Sequence, residues 1–403
     1  MKKTQLRVLA ATLSKGMAFL AVCGFILTSC TDDDNTTAET TDAVELQLQK
    51  MTLREKVGQL FYVRPECLDT TIHFNLPSGI DESGDDIKAI KLQAVNETMR
   101  GVNEKYPVGG IILYAHNIKD EEQLAAFIPQ IRALKGSPLL CIDEEGGRVA
   151  RIGNNEEFDV ETFVSMAAIG ATGKAENAYY CGNVIGTYLH LFDFDIDFAP
   201  VADVNTNPDN IVIGARAFSD NPEVAALMVT SYLQGLKDAG VTGCIKHFPG
   251  HGDTKADTHY GYAQSLKTWD EMQTCEMVTF KAGIAWGTQL IMTAHIATPN
   301  VTGSDVPATM SSILLQDKLR GELGYQNIII TDAMEMGAIT RQYSNAEAAV
   351  GTLQAGADIV LGPQNFVEAF DAVVKAVENG TLSEQRIDQS VRRILRLKKQ
   401  IGR

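Results

Sequence analysis

Basic charge is scarce in this chain: 35 Lys and Arg stand against 51 Asp and Glu, a net charge of −16. With no basic patch to offset it, such a surface repels phosphate backbones, which excludes nucleic acid as a partner. Proline is also modest, at 12 residues. Cysteine is sparse and scattered: beyond Cys30 only Cys67, Cys141, Cys181, Cys244 and Cys275 follow. An odd number without close-spaced pairs excludes a disulfide framework. Cys141 and Cys244 lie in strand-like apolar runs and read as buried small hydrophobes. What the chain does have is 45% apolar residues and 34 glycines in 403 residues. That is enough for a large core joined by many short turns.

The N-terminus is a processing signal. Lys2, Lys3 and Arg7 precede apolar sequence culminating in Met17 to Leu27, followed by Leu27-Thr28-Ser29-Cys30. A basic start, about a dozen apolar residues and small residues at the end describe a secretory signal peptide. The run falls short of the ~20 residues that a comfortable membrane span needs. The Leu-Thr-Ser-Cys stretch resembles the lipobox of bacterial lipoproteins, which implies lipidation of Cys30 and a lipid anchor in the membrane. The other readings of this stretch are an ordinary signal peptide cut nearby or a poor transmembrane anchor. Thr31 to Thr41 is polar and acidic, the composition of a disordered tether. Its three aspartates after the cysteine resemble the surface-export signal of Bacteroidetes lipoproteins, and otherwise make a solvated linker. The expected organisation is a signal peptide over 1–29, a flexible tether over 30–44 and a catalytic barrel over 45–403. The expected location is the cell envelope, as an outer-membrane lipoprotein with a leaning towards surface exposure.

Eight short apolar runs recur between amphipathic stretches: 57–63, 109–114, 138–143, 196–200, 242–247, 290–295, 327–332 and 358–362. Pro222 to Ala239 is the clearest helix, with Gly240 as its stop, and Glu276 to Ala285 and Ala346 to Ala355 are others. Leu382 to Leu397 is a final helix with Ser383 as cap and an Ile387, Val391, Ile394 and Leu397 stripe. Eight strand–helix units predict an α/β fold, a single (β/α)8 TIM-like barrel, with a doubly wound sheet as the competing arrangement. Polar residues gather at the C-terminal ends of the strands: Asp143, Asp203, Lys246 with His247, His295 and Asp332. In a barrel that end is the catalytic face. Cys67 to Asp86 breaks the rhythm and reads as a long loop over the barrel mouth, either shaping substrate choice or decorating it.

The stretch Lys246 to His259 holds three of the seven histidines. One reading is a metal site, since His and Asp are suitable ligand types, although no helical or hairpin spacing supports a ligand triangle. The other is acid–base work. Asp257 orients His259, whose imidazolium can donate a proton to a leaving oxygen. Asp332, at the end of an Ile-rich strand, then supplies the carboxylate that a retaining glycosidase needs across the scissile bond.

Together, Asp143-Glu144-Glu145-Gly146-Gly147-Arg148-Val149-Ala150-Arg151, Lys246 to His259 and Thr331-Asp332-Ala333-Met334-Glu335-Met336 resemble glycoside hydrolase family 3. The likeness is to its bacterial β-N-acetylglucosaminidase (β-hexosaminidase) branch, from about residue 45 to the C-terminus. The resemblance implies that Asp332 is the nucleophile and that His259 with Asp257 is the acid/base dyad. This branch more often carries serine where Thr258 stands. It further implies that Asp143, Arg151, Lys246 and His247 bind the non-reducing sugar. Arg216, in Ile213 to Ser219, resembles a further substrate-binding arginine, and its plainer reading is a loop salt bridge. Arg148 reads as a loop brace, His251 and Asp253 as residues holding their loop together, and Glu335 as structural. Asp203 and His295 position loops or sugar at the mouth.

The expected activity is therefore removal of terminal β-linked N-acetylglucosamine through a covalent glycosyl–enzyme, with retention and with no metal or organic cofactor. Expected partners are N-acetylglucosamine-containing oligosaccharides or muropeptides. Two alternatives stay open: an exo-β-glycosidase of other sugar specificity, and a non-catalytic surface glycan-binding lipoprotein.

Overall fold

In a computed structural model of the chain, eight short parallel strands form one sheet in the order β7-β6-β5-β4-β3-β2-β1-β8. The structure describes residues 43–72, 91–254 and 263–403. The expected signal peptide, Cys30, most of the tether, and part of the Cys67–Asp86 loop lie outside the described residues, as do Asp257 and His259. The strands are β1 (Phe61–Val63), β2 (Gly110–Leu113), β3 (Leu139–Ile142), β4 (Ile196–Asp197), β5 (Thr242–Phe248), β6 (Leu290–Thr293), β7 (Ile328–Thr331) and β8 (Val360–Leu361). A parallel bridge between Ile330 and Ile359 brings β7 back to β8. The Thr331 N–H donates to Ile359 O at 3.0 Å, and the Leu361 N–H to Thr331 Oγ1 at 2.9 Å. The sheet thus closes on itself as a (β/α)8 barrel, with no edge left to the doubly wound alternative.

Helices follow each strand: α1 (Leu53–Gln59) precedes β1, and α2 (Glu97–Lys105), α3 (Glu121–Arg132), α4 (Ala175–Leu191), α5 (Pro222–Asp238) and α6 (Glu276–Trp286) follow in turn. The π-helix Ile313–Glu322, α7 (Asn345–Ala355), α8 (Phe366–Glu378) and α9 (Glu384–Gln400) complete the ring. Residues 43–50 are helical, with Val44 and Leu48 buried.

The expected first strand, 57–63, is only half strand. Thr52 and Glu55 form a reciprocal capping box that starts α1, so Val57, Gly58 and Gln59 are helical and β1 begins at Phe61. The predicted cap of the last helix is present: Ser383 accepts from the Arg386 N–H. Among the described residues no helix is long and apolar enough to cross a membrane.

Two main buried clusters result, beside a small third one of Val201, Ile213 and Ala217. The larger lies between strands and helices. The smaller fills the barrel itself with Tyr62, Ile112, Leu139, Cys141, Ile196, Cys244, Leu290, Met292, Ile328 and Ile330, and Ile394 and Leu397 of α9 join it. Side chains alternate along a strand, so the next inward position after Leu139 and Cys141 is Asp143. After Cys244 it is Lys246, and after Ile328 and Ile330 it is Asp332. The inward stripe turns polar at one end of the barrel, and that end holds the site.

Candidate active site

A pocket of about 730 Å³, counting its open mouth, sits at the C-terminal end of the strands. Asp143, Arg151, Arg216, Lys246, His247 and Asp332 all line it. The structure thus brings together every described residue expected to touch substrate.

The loop after β3 is built around Glu144, which is fully buried. Its carboxylate accepts from the N–H groups of Arg151 (2.5 Å), Ile152 (3.0 Å) and Gly153 (2.7 Å) and from the Tyr188 hydroxyl (2.8 Å). Gly146 and Gly147 have φ of 87° and 65°, a left-handed turn that a side chain would strain. The turn returns Arg151 to the pocket beside Asp143, at 3.7 Å, over the Tyr114 ring. Arg148 is exposed and donates to Val212 O, a brace as expected.

From this loop a chain of charges crosses the barrel mouth. Lys246 Nζ lies 2.8 Å from Asp143 and 2.6 Å from Glu145. Glu145 accepts from Arg216 Nε and Nη2 at 2.8 and 2.7 Å, a bidentate pair. Arg216 Nη2 is 3.4 Å from His247 Nε2, and His247 Nδ1 is 2.7 Å from Asp203. Asp203 also accepts from the His251 N–H at 2.7 Å and the His247 N–H at 3.2 Å. Consecutive residues Lys246 and His247 both reach the pocket because the β5–β6 register shifts between Ile245 and Phe248. The salt bridge expected as Arg216's plainer role is present, and its guanidinium still lines the pocket.

Burial acts against the charges of Glu145, Lys246, Arg216 and Asp203, and their partners outweigh it. Burial would raise the Glu145 carboxyl, yet Arg216 and Lys246 hold it far below the usual carboxylate range. Burial would lower the Lys246 ammonium, but Asp143 and Glu145 hold it above the usual lysine range. For Asp203, burial is outweighed by His247 and His251, and its carboxyl lies below the usual range.

Asp332 stands apart from this chain, just past the C-terminal end of β7. Its carboxylate accepts from the Ala333 N–H at 2.7 Å. Burial would push the carboxyl up, but His247, His295, that N–H and Lys246 together hold it low, so it is ionised at neutral pH. His295 does not reach into the pocket. Its Nδ1 is 2.8 Å from Thr309 Oγ1 and its Nε2 donates to Ala333 O at 3.0 Å, which fixes the turn after Asp332. Glu335 also lines the pocket and pairs with fully buried Arg64 at 2.8 Å.

The segment 255–262, with Asp257 and His259, lies outside the described residues. On either side of it the chain is tied down. Asn207 Nδ2 donates to Thr254 O (2.9 Å) and Asn210 Nδ2 to His251 O (2.7 Å). Thr254 Oγ1 is 2.8 Å from His251 Nδ1, and Ser265 Oγ donates to Asp253 at 3.3 Å. Among the described residues, no group of three or more His, Cys, Asp or Glu is disposed to hold a metal.

Sequence reasoning missed Glu145, the hub of the charge chain, and Tyr114 beneath Arg151. The signal for Glu145 was there: an acidic residue two positions past a strand-end aspartate. Nothing local, however, distinguished it from Glu144.

The sequence pattern of the Glycosyl hydrolase family 3 N terminal domain matches residues 52–397. The chain belongs to glycoside hydrolase family 3. It is 34% identical over 323 residues to the protein named Beta-hexosaminidase A of Pseudoalteromonas piscicida, covering 73% of this chain and 54% of that one. A Beta-hexosaminidase of Tolumonas auensis is 34% identical over 279 residues, covering 68% and 80%. Among solved structures, a glycoside hydrolase family 3 beta-N-acetylglucosaminidase from Paenibacillus sp. str. FPU-7 superposes with a TM-score of 0.74 at 35% identity. That match covers 87% of this chain and 63% of the Paenibacillus chain. The chain thus spans little more than half of the first of these relatives and less than two thirds of the solved one.

Proposed function

We propose that this chain is a retaining exo-β-N-acetylhexosaminidase that releases terminal, non-reducing β-linked N-acetylglucosamine. The observation that carries the reading is Asp332: an ionised carboxylate at the inward end of β7, facing a pocket lined with buried cations and carboxylates. A nucleophile must be deprotonated before it attacks, and despite burial the Asp332 carboxyl is held below its usual range. The Paenibacillus structure, described as a beta-N-acetylglucosaminidase, supports the choice of sugar, and the Beta-hexosaminidase names of the other relatives agree with it.

In this mechanism Asp332 attacks the anomeric carbon while His259, oriented by Asp257, protonates the departing oxygen. The bond to the leaving group breaks and a glycosyl ester forms on Asp332. Water, deprotonated by His259, then cleaves that ester with net retention. Asp143, Arg151, Lys246, His247 and Arg216 bind the sugar. No organic cofactor takes part. The substrates are N-acetylglucosamine-containing oligosaccharides or muropeptides. Cys30 carries a lipid that anchors the chain in the outer membrane, exposed at the cell surface.

The test compares matched aryl β-N-acetylglucosaminide and β-glucoside with the chain lacking residues 1–30, alongside Asp332→Asn. Preference for the acetamido sugar, abolished by Asp332→Asn, supports both the sugar and the nucleophile. Equal or greater activity on the glucoside removes the sugar assignment. Labelling with a radioactive fatty acid, lost in Cys30→Ala, tests the anchor.

A further inference from the structure

Behind the sugar-binding His247 lies a carboxylate, Asp203, to which the steps above give no role, and the geometry of the pair fixes a proton. Asp203 is fully shielded, and its two oxygens do different work. Oδ1 accepts two backbone donors, the N–H groups of His247 (3.2 Å) and His251 (2.7 Å). Oδ2 is left for the ring of His247, 2.7 Å from Nδ1. An ionised carboxylate only accepts, so Nδ1 must carry a proton. In the neutral imidazole Nε2 then carries the ring's one lone pair on the pocket side, where the Arg216 Nη2 donor meets it at 3.4 Å, a long contact that a sugar hydroxyl can displace. Lys246 and Arg216 are donors only, so a lone pair beside them supplies an acceptor for a hydroxyl group.

We propose that Asp203 is a positioning residue that holds His247 as its Nδ1–H form, so that Nε2 accepts a hydrogen bond from a hydroxyl of the bound sugar. This rests on the sugar-pocket reading above. Asp203→Asn makes an unusually clean test. The two backbone N–H groups keep the amide oxygen of the substituted side chain, which turns its NH₂ towards Nδ1. Facing a donor, Nδ1 must give up its proton, and Nε2 acquires one that points at Arg216. Shape is kept while the ring's polarity is reversed.

Asp203→Asn should therefore lower kcat/KM on the aryl β-N-acetylglucosaminide roughly tenfold to a hundredfold. In a His247→Ala background the same substitution should change it by less than about twofold, because the ring it acts through is gone. Nitrogen-15 correlation spectra of the histidine rings, with His247→Ala for assignment, should show a protonated Nδ1 in the wild type and a protonated Nε2 in Asp203→Asn. An equal loss in both backgrounds, or a wild-type His247 protonated at Nε2 alone, overturns the proposal. Should Asp203→Asn fail to fold, the wild-type spectrum decides it. A wild type that hydrolyses no β-N-acetylglucosaminide removes the function proposed above, and the spectra still judge Asp203.

Discussion

Replacing Glu145 with glutamine keeps the shape of a buried side chain and deletes the charge that joins Lys246 to Arg216. Lys246 retains Asp143 at 2.8 Å, whereas Arg216 loses a bidentate carboxylate and keeps Val212 O at 3.2 Å, the His247 ring and at most one neutral amide oxygen at position 145. Breaking a buried ion pair on one side costs about 3–5 kcal/mol, and with one of the two cations still paired the lower end, about 3 kcal/mol, applies. A fold of roughly 360 residues, with an unfolding entropy of about 2.1 cal/mol/K per residue, should then lose about 4 °C in Tm. The freed guanidinium also moves within the pocket, and a displacement of about 1 Å there costs on the order of a hundredfold in kcat/KM. Because the Glu145 carboxyl lies far below its usual range in the folded chain, its stabilisation is fully present above the unfolded value, about 4.3. It is lost only as pH falls through the much lower folded value. The gap in Tm between wild type and Glu145→Gln should therefore persist from pH 7 to pH 5 and close only on strong acidification. Circular-dichroism melts across that range, with kcat/KM on the aryl β-N-acetylglucosaminide, provide the measurement. A Tm within about 1 °C of wild type together with kcat/KM within about threefold would refute the view that this charge chain orders the pocket.

Burial pushes the His251 imidazole down to about 4 from 6.5, with His247 and Arg216 adding to the effect and Asp203 opposing it. Below 6.5 the unfolded chain takes up a proton that the folded one refuses, so up to about 3 kcal/mol of stability is lost as pH falls towards 4. His251→Asn should flatten the Tm profile across that window, and an unchanged slope would count against the assignment. Where α4 meets α5, a Cβ on Gly182 would sit 2.3 Å from Tyr232 O. Gly182→Ala should lose about 1–2 kcal/mol in denaturant melts despite alanine's better helix propensity, and stabilisation would contradict that packing. Asp358, at the opposite end of the barrel, binds Arg320 (2.6 Å), Arg393 (2.9 Å) and the Ser390 hydroxyl (2.5 Å). Asp358→Ala should cost about 3–5 kcal/mol while leaving kcat at 25 °C within about twofold. A selective loss of kcat in a folded variant would mean that this network reaches the site.

The barrel was legible because its signals are local. Each strand core is a run of apolar residues that no amphipathic helix would tolerate, and Ser383 announces α9 from one position away. The one misjudged element shows the limit of that approach. Val57 to Val63 is apolar enough for a strand, but Thr52 and Glu55, outside the run, commit its first half to a helix. The motifs also placed Asp143, Lys246, His247 and Asp332 at strand ends, and period-two alternation then turns three of them inward.

What the residues do to one another was not legible, because each pairing spans a long stretch of chain. Arg216 meets Glu145 across 71 residues, Lys246 meets Asp143 across 103, and His247 meets Asp203 across 44. Glu144 and Glu145 are adjacent and chemically alike, yet one is wrapped by backbone donors and the other is shared by two cations. Sequence alone determined the fold and the strand-end residues at the mouth, since local periodicity and strand-end position suffice for those, while three separated motifs carried the family likeness. Only the closed barrel decided which carboxylate is bracket, which is hub and which faces the pocket outside the charge chain. That depends on which distant charges are brought within about 3 Å in a space too poor in water to screen them.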